Sequence, residues 1–95
     1  MPGILSVTAS EDGVWFSLDA GEVRRVEGGG SVGVGTRPLD LASAGRELWV
    51  AAYDDKAAKR VDGESLEGTG EVRLGAGPVA VAVGQDAVGV AVQSP

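Results

Sequence analysis

The sequence predicts an all-β fold, and three observations lead to this prediction: a long repeat, strand-like alternation within it, and turn residues at its boundaries. The stretch 37–55 reads RPLDLASAGRELWVAAYDD and the stretch 77–95 reads GPVAVAVGQDAVGVAVQSP, and the two align without a gap at a spacing of 40 residues. Larger apolar residues alternate with small or polar ones inside each copy. Gly and Pro punctuate most connections. A period of about 40 residues with only strand-like segments is typical of β-propeller blades, which are four-stranded antiparallel sheets.

The alternation predicts ten short strands in chain order. Turns rich in Asp and Gly separate the early strands, at 10–13 and 19–21, and a run of three glycines at 28–30 separates the third from the fourth. Pro38 and Pro78 each stand just before a strand, where a missing N–H costs least. The run DKAAKR is too short for an independent helix and aligns with a strand-like segment. The predicted strands are 4–9, 14–18, 22–27, 31–34, 39–43, 47–53, 57–62, 71–75, 79–83 and 87–92.

The repeat divides the chain into one partial propeller with three units. Blade 1 covers 1–35, blade 2 covers 36–75, and 76–95 is the first half of blade 3. The third unit is uncharged on both faces of its predicted strands, which indicates that both faces are covered. Because two and a half blades cannot close a ring, we expect a fragment of a longer propeller or a protomer that completes a ring with other copies.

The composition excludes several classes of function. The formal net charge is −6, which disfavours nucleic acid and anionic membranes as partners. The chain contains no cysteine and no histidine, so thiolate chemistry and the commonest general base and zinc ligand are absent. The opening residues, MPGILSVTASEDG, show no secretory signal, and no apolar stretch is long enough to span a membrane. We therefore expect a cytoplasmic location.

The blade repeat resembles that of the bacterial YVTN and virginiamycin-B-lyase-like β-propellers. Their shared outline is present as Gly77-Pro78, the alternating strand 79–83, Trp49-Val50-Ala51, Arg60-Val61-Asp62 and a Thr-Gly segment at 69–72. The resemblance covers essentially the whole chain and implies the propeller fold. It implies little about function, because such repeats serve sensors, scaffolds and enzymes. The lyase-type members are thought to use histidine.

One rim of the predicted propeller contains candidate binding residues. The loop between the second and third strands of a blade shares a rim with the loop that enters the next blade. This places Tyr53, Asp54, Asp55 and Lys56 near Arg37. A tyrosine beside mixed charges suits a polar ligand or a loop of a partner protein. We expect this rim to be the contact surface.

Trp15 and Trp49 occupy equivalent positions in the first two blades. We expect both to act as structural wedges between blades, because they supply buried area that Ala and Gly cannot supply. The alternative role is a platform for sugar stacking.

Other motifs are better explained as turns than as sites. The segment Gly28–Gly33 matches G-x-G-x-x-G, but a strand pattern and then Pro38 follow it where a dinucleotide site needs a helix. Asp54 and Asp55 could offer oxygens to Ca²⁺, although the regular ligand spacing is missing. No pair of carboxylates stands out for acid–base catalysis. We therefore expect no cofactor, no metal and no enzymatic activity.

The sequence favours a non-enzymatic interaction or scaffold module, whose partners are copies of itself or the remaining blades of a longer propeller. Two alternatives stay open. One is lectin-like recognition of a small ligand or carbohydrate between adjacent blades. The other is a fragment of a propeller lyase or hydrolase whose catalytic residues lie on other blades.

Overall fold

Consecutive strands pair as antiparallel neighbours within each sheet of the computed structural model, which describes residues 3–35, 37–45, 47–84 and 87–92. All regular structure in these residues is strand, as the alternation predicts, and the segment DKAAKR lies largely in a strand rather than a helix. The strands are β1 (Ile4–Ser10), β2 (Gly13–Leu18), β3 (Glu22–Arg25), β4 (Ser31–Gly33), β5 (Pro38–Ala44), β6 (Glu47–Ala52), β7 (Ala57–Asp62), β8 (Glu67–Arg73), β9 (Pro78–Val83) and β10 (Val88–Val92).

Three separate sheets stack face to face. Strands β1 to β4 form a four-stranded sheet, blade 1, and β5 to β8 form a second, blade 2. Strands β9 and β10 form a two-stranded sheet, half-blade 3. Strand β5 packs against both β1 and β9, so the first strand of each sheet lies innermost. The all-β class and the propeller-type blades that do not close into a ring are thereby confirmed.

The largest differences from the predicted strand boundaries are in β3 and β8, and the other strands differ by at most one residue at either end. Strand β3 ends at Arg25 rather than at 27, and Val26 keeps one hydrogen bond, from its N–H to the Val14 carbonyl at 2.9 Å. Strand β8 spans Glu67–Arg73 rather than 71–75. Every residue of β8 is exposed, because it is the outermost strand of blade 2. Without a buried face it lacks the alternation from which a strand is recognised.

The core lies between blade 1 and blade 2. Trp15 and Val23 face blade 2 and are fully buried. The facing side of blade 2 contributes Leu41, Leu48, Val50 and Val61, and Val34 completes the cluster. Since β-strand side chains alternate between faces, Ala51 and Ala58 lie on the other side of blade 2, towards β9, where their small side chains are buried.

Polar side chains connect the innermost strands of the three sheets. The Ser6 hydroxyl donates to Asp40 Oδ1 at 2.8 Å and accepts the Leu41 N–H at 3.3 Å. Asp40 Oδ2 accepts the Val81 N–H at 3.1 Å. A second link joins the hydroxyls of Thr8 and Ser43 at 3.0 Å. Side-chain hydrogen bonds therefore join sheets that share no backbone ladder.

Candidate functional site

Three of the five predicted rim residues form one cluster at the end of blade 2. The Arg37 guanidinium carbon lies 5.7 Å from the centre of the Tyr53 ring, within the range of a cation–π contact. Arg37 Nη1 lies 3.7 Å from Asp54 Oδ1. The Tyr53 N–H donates to the Arg37 carbonyl at 3.0 Å. The Arg37 and Asp54 side chains are 54% and 41% exposed, so their ion pair contributes little to stability.

The backbone that positions this cluster is locally strained. Arg37, which directly precedes β5, has a φ of 56°, and Lys56 has a φ of 52°. The left-handed region costs a non-glycine residue about 1–2 kcal/mol. Lys56 closes a turn in which its N–H donates to the Tyr53 carbonyl at 3.2 Å. At the equivalent point of blade 1 stands Gly21, with a φ of 98°, so the turn requires this conformation in both blades.

The other two predicted rim residues lie apart from the cluster. Asp55 Oδ2 pairs with Lys59 Nζ at 2.5 Å. This pair packs against Gly35, where any added Cβ would collide with both side chains. The Lys56 side chain is exposed. The rim is therefore two adjacent groups, one built on Arg37 and Tyr53 and the other on Asp55 and Lys59.

An open cleft lies beside the first group, between blade 1 and blade 2. Its volume is about 410 Å³. Blade 1 contributes an acidic side chain and blade 2 contributes a guanidinium and an aromatic ring, over an apolar floor from both. The lining residues are Gly3, Leu5, Asp19, Arg37, Leu39 and Tyr53. We call this space the inter-blade cleft.

The matching space between blade 2 and half-blade 3 is filled by Tyr53. A Cβ at Gly77 would lie 2.6 Å from Tyr53 Cε1, so only glycine fits beside the ring. Asp19 holds the position in blade 1 that Tyr53 holds in blade 2, and its N–H likewise donates to the carbonyl of Gly3, at 2.9 Å. The shorter Asp19 side chain leaves the first space open. The sequence prediction did not include Asp19, Leu5 or Leu39, although the repeat alignment of Asp19 with Tyr53 was the available signal.

The two tryptophans both lie on faces that point to the next blade, but their surroundings differ. Trp15 is fully buried against blade 2, and its indole N–H donates to the Gly63 carbonyl at 2.9 Å. Trp49 is partly exposed, with its N–H on Glu47 at 3.1 Å and the Arg60 guanidinium 5.9 Å from its ring centre. Half-blade 3 offers only two strands against this face, so Trp49 is covered incompletely.

Apolar side chains are exposed on the side of blade 1 that faces away from blade 2. Val7 is 63% exposed and Val26 is 55% exposed, whereas Val14 and Phe16 between them are half-buried. Ile4 is also exposed on this side. We call Ile4, Val7, Val14, Phe16 and Val26 the outer face of blade 1.

The motifs that could also be interpreted as a dinucleotide site or a Ca²⁺ site lie in turns. Gly28, Gly29 and Gly30 have positive φ angles of 79°, 71° and 97°, and strand β4 rather than a helix follows them. Asp54 and Asp55 are each engaged by a cationic side chain. Residues 3–35, 37–45, 47–84 and 87–92 contain no group of three potential metal ligands. Within the same ranges, no helix has the length and apolarity required to cross a bilayer.

Comparison with known proteins supports the fold and leaves the family open. No family model matches the chain, and no curated protein matches it. A solved structure of the Kuenenia stuttgartiensis hydrazine synthase superposes with a TM-score of 0.87 and 23% identity over 97% of this chain. The chain spans 30% of the length of that protein. At this identity the likeness concerns the fold alone.

Proposed function

We propose that this chain is part of a β-propeller, of the YVTN or virginiamycin-B-lyase-like type, that acts as a non-enzymatic interaction scaffold. In this proposal a further blade of the same kind covers the outer face of blade 1. The rim built on Arg37 and Tyr53 presents a contact surface to a partner. The exposure of equivalent positions in blade 1 and blade 2 supports the covering blade, and the side chains of the rim support the contact surface.

The comparison is between equivalent positions of blade 1 and blade 2. Val7 is equivalent to Leu41, and their exposures are 63% and 5%. Val26 is equivalent to Val61, and their exposures are 55% and 1%. The same positions are thus buried where a neighbouring blade covers them and exposed where none does. The exposed apolar surface is the kind that marks an interaction site.

The covering surface has a definite chemistry. Blade 2 is covered by the face of blade 1 that bears Trp15 and Val23, with the Ser6 hydroxyl accepting the Leu41 N–H at 3.3 Å. Because the blades are equivalent, we expect the surface that covers the outer face of blade 1 to carry a large aromatic side chain, small apolar neighbours and an acceptor for the Val7 N–H. A blade of the same repeat offers these groups.

The rim suits a protein partner because of its residue types. Tyr and Arg are, together with Trp, enriched among the side chains that dominate binding energy in interfaces. Arg37 and Tyr53 are held together by a backbone hydrogen bond of 3.0 Å and a cation–π contact. A partner would therefore meet a surface that needs little ordering on binding.

Sedimentation of the 95-residue chain over a range of concentrations tests the docking of blades. We expect association that weakens by about tenfold or more with Val7→Glu, because the buried carboxylate would lack a partner. Ser65→Glu adds the same charge to an exposed loop of blade 2 and serves as the matched control. Arg37→Ala changes an exposed rim side chain away from the outer face of blade 1 and should leave self-association unchanged.

A wild-type chain that sediments as a monomer at every concentration would contradict the docking proposal. So would equal association of the Val7→Glu and Ser65→Glu variants, since the apolar face would then contribute nothing.

A further inference from the structure

We propose that the inter-blade cleft binds a small zwitterion with an apolar body, such as a free α-amino acid. Asp19 holds the cationic end of the ligand, Arg37 holds the anionic end, and Leu5 and Leu39 support the apolar part. This site is distinct from the outer face of blade 1 and does not depend on how the propeller is completed.

The cleft exists because one pair of residues replaces another at equivalent positions. At the junction of blade 2 with half-blade 3, the Tyr53 ring occupies the space and leaves room for no side chain at Gly77. At the junction of blade 1 with blade 2, Asp19 stands in place of the tyrosine and Arg37 in place of the glycine. A filled apolar contact is thus exchanged for an acid and a base on opposite walls of an open space of about 410 Å³.

The two charged groups are accessible to a ligand. Asp19 is exposed, and Arg37 is 54% exposed. The ion pair of Arg37 with Asp54, between Nη1 and Oδ1 at 3.7 Å, is long for a charge-assisted hydrogen bond, and a guanidinium carries five N–H donors in all. The cleft volume lies in the lower part of the range of about 300–1,000 Å³ for small-molecule sites.

The charge pattern favours a zwitterion over the other small ligands. A simple anion would meet Asp19, Asp54 and a chain of net charge −6. A simple cation would meet Arg37. A neutral sugar would need a free aromatic face, but the Tyr53 ring already packs on Gly77 and lies beside the Arg37 guanidinium. A dipolar ligand pairs with both walls at once.

Amide chemical shifts of the full chain, titrated with L-leucine, test the proposal. We expect saturable shifts at Gly3, Asp19 and Leu39. Leucinamide keeps only the positive charge and N-acetyl-leucine only the negative one, so each should bind about tenfold or more weakly. D-glucose should cause no saturable shift at these amides.

Variants separate the site from non-specific binding. Asp19→Asn and Arg37→Gln should each weaken L-leucine binding by about tenfold, whereas Glu11→Gln, which removes an exposed acid on another loop, should not change it. The double variant Asp19→Tyr with Arg37→Gly recreates the Tyr53–Gly77 arrangement. It should abolish binding while keeping a dispersed, folded spectrum.

Three outcomes would overturn the proposal. These are no saturable shift with L-leucine, equal binding of either singly charged analogue, and unchanged binding in the double variant. The test of self-association through the outer face of blade 1 is independent of these outcomes, because Val7→Glu leaves the cleft intact.

Discussion

Asp40 connects the innermost strands of all three sheets. Its two carboxylate oxygens accept from the Ser6 hydroxyl at 2.8 Å and from the Val81 N–H at 3.1 Å. Its equivalents are Ser6 in blade 1 and Ala80 in half-blade 3. Ser6 accepts an N–H from the next blade as Asp40 does, whereas Ala80 has no side-chain acceptor. The side-chain acceptor at this position is therefore not repeated in half-blade 3.

Replacing Asp40 with Ala leaves the Val81 N–H without its acceptor. We expect a loss of about 1–3 kcal/mol in the free energy of unfolding, measured by urea denaturation. Asp40→Asn keeps one carbonyl acceptor and should cost less than about 1 kcal/mol. Hydrogen exchange at the Val81 amide should accelerate only in the alanine variant. Equal stability of the two variants would show that this carboxylate does not join the sheets.

Residue roles at this scale were only partly predictable from the sequence. The equivalence of Trp15 and Trp49 and the proximity of Tyr53 to Arg37 followed from the repeat and the strand order. The role of Asp40 did not, because a side chain in a strand gives no sign of which neighbouring sheet it will reach. The cleft was not predicted for a related reason. The short Asp19 side chain contributes to it by leaving a space open, and the residue type alone does not show that space.

Whole strands were easiest to predict where one of their faces is buried. Strands β5 and β6 alternate between large and small or polar residues, and their faces are buried against two different sheets. Strand β8 has no buried residue and contains Gly68 and Gly70, which are typical of turns, so its start was placed too late. The register shift between Arg60 and Val61 opposite β8 adds a bulge that the sequence pattern does not encode.

The Tyr53 ring packs closely on Gly77 at the junction of blade 2 with half-blade 3. Gly77→Ala places a methyl 2.6 Å from Tyr53 Cε1, and such overpacking costs about 1–3 kcal/mol of unfolding free energy. In a Tyr53→Ala background the same change should cost less, because only the Tyr53 carbonyl oxygen, 3.0 Å from the added Cβ, then remains close, and we expect a coupling above about 0.5 kcal/mol in a double-mutant cycle. Gly75→Ala is the control, since nothing lies within 4 Å of its added Cβ. Additive effects of the Gly77 and Tyr53 changes would rule out this contact.

The whole molecule is a stack of like sheets whose first member is covered on one face only. Repetition explains why the fold was predictable: each blade buries one face on its predecessor and the other on its successor. It also explains the exposure of Val7, because the first described blade has no predecessor in the structure. Small side chains such as Ala51 and Ala58 let the sheets approach, so each interface depends on many modest contacts and a few large wedges.

Thiol labelling of single-cysteine variants tests the stacking most directly, because the chain contains no cysteine of its own. Val7→Cys and Leu41→Cys place the thiol at equivalent positions of blade 1 and blade 2. We predict fast labelling at position 7 in dilute solution, which slows as the protein concentration rises and blades dock on the outer face. Labelling at position 41 should be slow at all concentrations. Equal rates at the two positions, or a rate at position 7 that never changes with concentration, would contradict the account.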